Sequence, residues 1–389
     1  MSERYALTAP RLFDGEQWHD DAALIVNGGR IEDVVPRGTV PSGLHTVVYE
    51  GGMIVPGFID LQVNGGGGVL LNEHPDVESI RTICAAHAQF GTTGLLPTLI
   101  TDTPEITAAA IKAGEEAARE NVPGFLGLHL EGPHLSVARK GTHHPALIRP
   151  MEEADLARLV EARKHLPVLL TTIAPENTTV EQIRALAGAG IIVSLGHSDC
   201  SYATAAEAAA AGASMMTHLF NAMSPLGHRE PGMVGAALDI GALNVGLIAD
   251  GFHVDPASMR VALRAKAGPG RIFLVTDAMS TIGTGITEFT LNGRTIHRAG
   301  GRLTLNDGTL AGADLDMISA VRFIHETIGL PLAEALRMAS LYPAESIGLG
   351  GQLGALRPGM RASFLHLSEG LEVERTVIDG KIVFGEPLE

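Results

Sequence analysis

The middle of the chain alternates short apolar runs with longer segments in which apolar residues recur at helical spacing. This alternation of strand-like and helix-like segments predicts eight strands, at Phe58–Val63, Gly94–Leu99, Phe125–Leu130, Val168–Ile173, Ile191–Leu195, Ser214–His218, Val245–Ala249 and Ile272–Val275. Amphipathic helices are predicted between most of them, for example at Glu78–Phe90, Glu105–Glu120, Glu152–Lys164, Val180–Ala189, Tyr202–Ala211 and Pro256–Lys266. Eight alternating units favour an α/β fold of the closed (β/α)8 TIM-barrel type. An open, doubly wound sheet is the alternative, because periodicity does not show closure.

Both ends of the chain have the alternation and turn signals of β structure. Near the start, Ala22–Val26 and Ile31–Val35 flank an Asn-Gly-Gly turn, and near the end, Val373–Ile378 is followed by an Asp-Gly turn. We therefore expect a small β-sandwich domain formed by both termini, residues 1–55 and 351–389, around a catalytic barrel of residues 56–350. Within the barrel segment, Phe289–Ile296 contains an Asn-Gly turn and predicts an inserted β excursion.

The composition of the chain argues against several kinds of protein and of binding partner. The hydrophobic fraction of 45% is ample for a core, and the formal net charge of −16 makes nucleic acid and anionic membranes poor partners. Cys84 and Cys200 are far apart and form no CxxC motif, so a disulfide is not expected. The first residues contain no apolar signal core, and no apolar run is long enough to span a bilayer. These features predict a soluble cytoplasmic protein.

Four of the predicted strands end in a metal-ligating or acid/base side chain: Glu131, His197, His218 and Asp277. Functional groups of a parallel α/β barrel lie at the carboxyl ends of the strands, so we expect the four to converge. A lone histidine at a strand end is more often a hydrogen-bonded core residue, but two imidazoles and a carboxylate with a further Asp are typical of a catalytic metal site. Zn²⁺ is the first expectation, and Fe²⁺, Co²⁺ or Mn²⁺ would accept the same ligands.

The chain also resembles a known family over nearly its whole length. The motifs that carry the resemblance are Asp60-Leu-Gln-Val-Asn-Gly65, His129-Leu-Glu-Gly-Pro-His134, Lys140-Gly-Thr-His-His-Pro145, Leu195-Gly-His-Ser198, Thr217-His-Leu-Phe-Asn-Ala-Met223, Arg229-Glu-Pro-Gly232, Asp250-Gly-Phe-His253 and Thr276-Asp-Ala-Met279. In this order they resemble the N-acetylglucosamine-6-phosphate deacetylase branch of the amidohydrolase superfamily. Most of the superfamily has a metal-binding His pair where this chain has Gln62 and Asn64, and many members have a bridging Lys where it has Glu131. In this respect the chain is similar to members of the branch that use a single metal. The two amides would then support the site or contact the substrate.

The resemblance implies a reaction and a role for each site residue. It implies hydrolysis of the acetamide of N-acetyl-D-glucosamine 6-phosphate, with one divalent metal per subunit held by Glu131, His197 and His218. Asp277 would be the general base and acid, and His143 would contact the substrate carbonyl. The sugar phosphate would be bound by Asn221, Ala222, Arg229 and His253, with phosphate ligands shared across a homodimer.

Other functions stay open at this stage. The substrate could be another N-acetylated hexosamine 6-phosphate, such as that of galactosamine, or a different amide, as in dihydroorotases and isoaspartyl peptidases. Those last two branches usually keep the His pair that this chain lacks. A catalytically inactive sensor of sugar phosphates is a further alternative, and the retention of Glu131, His197, His218 and Asp277 together argues against it.

Overall fold

The central unit of the protein is a barrel of eight parallel strands. The structure, a computed structural model, describes residues 4–387. Each barrel strand pairs with the next in chain order, and their bounds are β1 (Phe58–Val63), β2 (Thr92–Ile100), β3 (Leu128–Glu131), β4 (Leu169–Ile173), β5 (Ile192–Leu195), β6 (Met215–Met216), β7 (Asn244–Leu247) and β8 (Ile272–Leu274). The strand order never reverses, as it would in a doubly wound sheet.

The barrel closes where the chain that follows β8 returns to β1. A parallel bridge joins Val63 to Ala278. The backbone N–H of Asn64 donates to the Ala278 carbonyl at 2.8 Å, and the N–H of Asp277 donates to the Gln62 carbonyl at 3.0 Å. This seam confirms the predicted barrel, and the doubly wound alternative is wrong.

A buried carboxyl group also spans the seam. Asp60 on β1 is fully buried and accepts hydrogen bonds from the hydroxyl of Thr276 at 2.5 Å and from the Thr276 N–H at 3.2 Å. Burial is the largest influence on this group and raises the pKa of Asp60 to about 7, although the hydrogen bonds from Thr276 oppose it. The pair therefore ties the strand that carries Gln62 to the segment that carries Asp277.

Helices cover the outside of the barrel, and several begin at residues suited to capping. Asp76 and Thr103 accept hydrogen bonds from backbone N–H groups of the first turns that follow, and Thr179 forms a capping box with Gln182. The helices are α1 (Val77–Ala88), α2 (Pro104–Arg119), α3 (Glu153–Ala162), α4 (Val180–Gly188), α5 (Tyr202–Ala211), α6 (Gly232–Asp239), α7 (Pro256–Ala265), α8 (Met317–Arg322), α9 (Leu332–Ala339) and α10 (Leu341–Ser346), with a π-helical turn at Phe323–Ile328 and 3-10 turns at Arg37–Thr39, Val137–Arg139 and Pro145–Leu147.

The two termini build a separate sheet, which confirms the expected small β domain. Its eight strands are hydrogen-bonded into one continuous sheet: Arg4–Phe13, Trp18–Asn27, Arg30–Pro36, Thr46–Val48, Met53–Pro56, Phe364–Leu367, Val373–Ile378 and Lys381–Phe384. The ends meet because Met53–Pro56 pairs with Phe364–Leu367 in antiparallel register. The domain limits at residues 55/56 and 350/351 stay a prediction.

An inserted sheet lies at the mouth of the barrel. The expected hairpin is part of four antiparallel strands, Glu288–Leu291, Arg294–Ala299, Arg302–Thr304 and Leu310–Ala313. Its apolar side chains, Leu291 and Ile296 among them, pack with Leu70, Ile100 and Met279 of the barrel in a small core of their own. The insertion therefore covers the end of the barrel where the strand-end side chains lie. A second short hairpin there pairs Gly65–Gly66 with Val69–Leu70.

The two cysteines and the lengths of the helices bear on two further expectations. Cys84 and Cys200 are both buried and free. Among the helices of residues 4–387, none combines the length and the apolar character that crossing a bilayer requires.

Candidate active site

A cavity of about 260 Å³ opens at the carboxyl ends of the barrel strands. It brings together eight of the nine residues that the sequence predicted for the site: Glu131, His143, His197, His218, Asn221, Ala222, His253 and Asp277. Leu291, Thr309 and Leu310 of the inserted segment also line it. Arg229 is the exception, because it lies outside the cavity in an exposed loop.

Three buried side chains aim one donor atom each at a common point. The Nε2 atoms of His197 and His218 are each 3.2 Å from Oε1 of Glu131 and are 3.0 Å from each other. When ligand atoms bind one ion tetrahedrally, with bonds of about 2.0–2.2 Å, they lie about 3.3 Å from one another. The triangle has the size and the donor chemistry of three ligands to one divalent cation, so the residues present fit a metal.

His143 also lies within reach of this cluster. Potential ligand atoms of Glu131, His143 and His197 all lie within 4.8 Å of one another. However, Nδ1 of His143 accepts the backbone N–H of Thr101 at 3.3 Å, and it is 2.8 Å from the Thr101 hydroxyl. A backbone N–H can only donate, so the proton of the neutral His143 ring belongs on Nε2. This tautomer makes His143 a hydrogen-bond donor to the cavity, and His218 is the better third ligand.

His197 has the opposite tautomer. Its Nδ1 lies 2.9 Å from the carbonyl oxygen of Arg139 and donates to it, which leaves the lone pair of Nε2 directed at Glu131. Gly141 allows the loop to approach this ring, because it has a φ of +55° and a Cβ there would lie 3.2 Å from Cε1 of His197.

Two buried carboxylates with different affinities for a proton share the site. Burial opposes ionisation of Glu131, but the close approach of the imidazole rings of His197 and His218 outweighs it and holds its pKa well below the usual value. Burial raises the pKa of Asp277, and the negative charge of Glu131 raises it further. Such a separation gives one carboxylate the role of a charged ligand and the other that of a proton carrier.

The amides of β1 hold these carboxylates in place. Nε2 of Gln62 donates to both oxygens of Glu131 at 3.3 Å and to Oδ1 of Asp277 at 3.2 Å. Nδ2 of Asn64 donates to Oδ1 of Asp277 at 2.7 Å, and Asn64 lines the cavity, where its buried Oδ1 has no partner among the described residues. Both amides are thus beside the donor cluster rather than part of it.

Backbone strain concentrates at the same strand ends. His197, His218 and Asp277 have φ values of +48°, +29° and +52°, in the left-handed region that costs energy for residues with a Cβ. Ala222 in the loop after β6 has a φ of +51°. Strained residues of this kind persist where the surrounding structure fixes them, and here they direct side chains into the cavity.

A carboxylate holds the ring of His253, which also lines the cavity. Nδ1 of His253 donates to Oδ2 of Asp250 at 2.6 Å, while two backbone N–H groups of the same turn donate to Oδ1 of Asp250. This pairing holds the ring of His253 at the cavity wall, which Asn221 and Ala222 also line. Among the described residues that line the cavity there is no Lys or Arg.

Sequence reasoning missed several residues that orient the predicted ones. Thr101 follows the end of β2 and fixes the tautomer of His143, and Asp250 fixes His253. The spacing Asp250-Gly-Phe-His253 was a usable signal for the second pair. No local pattern marks Thr101, because its partner is 42 residues away in the chain.

Two family models together match nearly the whole chain. The amidohydrolase family matches residues 53–383, and the NagA composite domain matches residues 4–54. The N-acetylgalactosamine-6-phosphate deacetylase of Shewanella sp. (strain ANA-3) is 46% identical over 86% of this chain and 84% of the relative. The N-acetylglucosamine-6-phosphate deacetylase of Haemophilus influenzae is 37% identical over 93% of this chain and 94% of the relative.

A solved structure extends the similarity to three dimensions. The crystal structure of N-acetylglucosamine-6-phosphate deacetylase from Pasteurella multocida is 36% identical, with a TM-score of 0.94, and the match covers 97% of this chain and 99% of that one. The barrel and the terminal sheet thus have counterparts in that structure over nearly the whole chain. The chain belongs to the amidohydrolase family and is a hydrolase.

Proposed function

We propose that this hydrolase removes the acetyl group of N-acetyl-D-glucosamine 6-phosphate, giving D-glucosamine 6-phosphate and acetate. The observation that carries the proposal is the triangle of Glu131, His197 and His218 with Asp277 beside it, at the mouth of a barrel. The similarity to deacetylases of phosphorylated amino sugars supports this substrate class.

Glu131, His197 and His218 are the residues that would hold a single divalent metal ion, with Zn²⁺ as our first choice. Bound there, the ion would supply Lewis-acid chemistry, polarising the amide carbonyl and making water a better nucleophile. The low pKa of Glu131 supports this assignment, since an ionised carboxylate is the form that binds a cation. Gln62 and Asn64 occupy the positions of the His pair and favour one ion over two, because amides are weak ligands for transition metals.

Asp277 is our candidate for the proton carrier. Its carboxylate would accept a proton from the attacking water and return it to the amide nitrogen as the C–N bond breaks. The raised pKa suits both halves of this task, because the group must hold the proton between the two steps. The amides of Gln62 and Asn64 keep Oδ1 occupied, which directs the other oxygen toward the substrate.

His143 is our candidate for stabilising the oxyanion. With the neutral proton on Nε2, the ring can donate a hydrogen bond to the carbonyl oxygen as negative charge develops there. Burial lowers the pKa of His143 well below its ordinary value, and the neighbouring ring of His197 lowers it further. The ring therefore acts as a neutral donor at physiological pH.

The phosphate requires donors that the cavity of one chain only partly supplies. Asn221, Ala222 and His253 line the cavity, but Arg229 is exposed and lies outside it. A dianion bound without Lys or Arg would be poorly compensated. We propose that Arg229 reaches the phosphate from a second copy of the chain, in a homodimer that works in the cytoplasm.

N-acetylgalactosamine 6-phosphate is the second candidate substrate. The Shewanella relative, which is 46% identical over 86% of this chain, carries that activity in its name. The two sugars differ only in the configuration at one hydroxyl, so the same metal and proton chemistry serves either one.

Acetate release tests the proposal directly. Purified protein loaded with Zn²⁺ is supplied with N-acetylglucosamine 6-phosphate, its galactosamine epimer and unphosphorylated N-acetylglucosamine. We expect the highest kcat/KM for the first. Faster turnover of the epimer would move the assignment to the second candidate, and binding of the sugar phosphates without acetate release would favour the inactive sensor.

A further inference from the structure

The inserted sheet contributes a cation to the active-site region. Arg294 begins the strand Arg294–Ala299, directly after the Asn292-Gly293 turn. Its Nη2 donates a hydrogen bond to the carbonyl oxygen of Thr142, 152 residues away in the chain. Its Nε is buried and has no partner among the described residues, so the guanidinium is held toward the loop through the bond to Thr142.

Thr142 directly precedes His143 in a loop with little structure of its own. The loop has no helix or strand between Val137–Arg139 and Pro145–Leu147. Within it, the N–H of His143 donates to the Lys140 carbonyl at 3.0 Å, which is a local turn and no anchor to the rest of the protein. Besides that turn, the ring of His143 contacts Thr101. The Thr142 carbonyl and the His143 N–H belong to one peptide group, so the bond from Arg294 ties that peptide to the inserted sheet.

We propose that Arg294 is a positioning residue that holds the His143 loop against the inserted sheet. The inserted sheet is itself anchored, since Leu291 is 2% exposed and packs with Ile100 and Met279. The hydrogen bond from the guanidinium of Arg294 joins the loop to this anchored sheet, so Arg294 restrains the position of the loop. The catalytic consequence rests on the proposed function, in which His143 must meet the developing oxyanion with an accuracy of about 0.5 Å. The mechanical consequence, an ordered loop, does not depend on it.

A set of substitutions separates these two consequences. Arg294→Met keeps the aliphatic stem and removes every donor, while Arg294→Lys keeps a charged donor at nearly the same reach. Arg302→Ala is the matched control, since Arg302 lies on the same inserted sheet and stacks over the exposed ring of Phe252. Zinc content and melting temperature are measured for each variant.

Two readouts are compared, acetate release and tryptic cleavage after Lys140. We expect Arg294→Met to lower kcat at least tenfold with less than a threefold change in KM, and to speed cleavage at Lys140 severalfold. Arg294→Lys should recover most of both, and Arg302→Ala should match the wild type. Wild-type kcat and wild-type cleavage in Arg294→Met would overturn the proposal. Faster cleavage with unchanged kcat would disprove the positioning role in catalysis. If the wild type itself released no acetate, the proposed function would fail, and cleavage would still decide whether Arg294 orders the loop.

Discussion

Substituting Asp60 by Asn tests the seam that closes the barrel. Oδ1 of Asp60 accepts the backbone N–H groups of Gln62 and Thr276, each at 3.2 Å, and Oδ2 lies 2.5 Å from the Thr276 hydroxyl. An Asn side chain can preserve this arrangement, because its oxygen accepts both N–H groups and its NH2 donates to the hydroxyl. The substitution therefore removes a titratable group and leaves the contacts.

The size of the effect follows from the pKa. Asp60 changes from an ordinary value of 3.8 to about 7 on folding, mainly through burial. Each pKa unit corresponds to about 1.4 kcal/mol, so holding the ionised form in the barrel costs about 4 kcal/mol. Between the two pKa values the folded state keeps the proton that the unfolded state has lost, so stability falls as pH rises through this window and is level above pH 7. Between pH 5 and pH 8 the free energy of unfolding should lose about 3 kcal/mol from this group.

Urea unfolding at pH 5 and pH 8 measures this difference. We expect Asp60→Asn to gain about 3 kcal/mol relative to the wild type between the two conditions. Asp20→Asn, at a carboxylate that is 89% exposed, is the control and should show no such gain. A gap between Asp60→Asn and the wild type that is the same at both pH values would refute the assignment of a raised pKa to Asp60.

Three further predictions concern the site. Asp277→Asn should keep bound zinc and lose at least about 100-fold in kcat, because general acid–base groups contribute that much; near-normal turnover with full metal content would remove Asp277 from the mechanism. Arg229→Ala should raise KM for the phosphorylated sugar far more than KM for the unphosphorylated one. An equal rise in both KM values in steady-state kinetics would show that Arg229 does not bind the phosphate. Gly141→Ala should weaken zinc retention against a chelator, since the added Cβ presses on the ring of His197 and requires a strained φ; unchanged retention would contradict that contact.

Much of the fold was predictable because parallel strands and amphipathic helices leave local patterns. Each of the eight predicted strands overlaps a barrel strand, although β3 begins at Leu128 and β6 is only Met215–Met216. The short β6 has a physical reason, since the chain turns to positive φ at His218, two residues beyond its end. For the inserted sheet the pattern predicts only one hairpin, because the two later strands are short and joined by polar turns.

The candidate site was predictable for a different reason. Strand ends meet at one edge of a barrel, so Glu131, His197, His218 and Asp277 could be expected to converge from their places in the sequence alone. Contacts between distant loops leave no such local pattern. The bond from Arg294 to Thr142 and the exposed position of Arg229 both depend on how loops of irregular structure pack, and periodicity does not encode this.

The most direct test is a crystal structure of the protein grown with Zn²⁺, with data collected at the zinc absorption edge. We predict one anomalous peak per chain, about 2.0–2.2 Å from an oxygen of Glu131 and from Nε2 of both His197 and His218, with His143 outside bonding distance. A peak coordinated by His143 in place of His218, or an absence of zinc from this triangle in metal-replete crystals, would contradict the account.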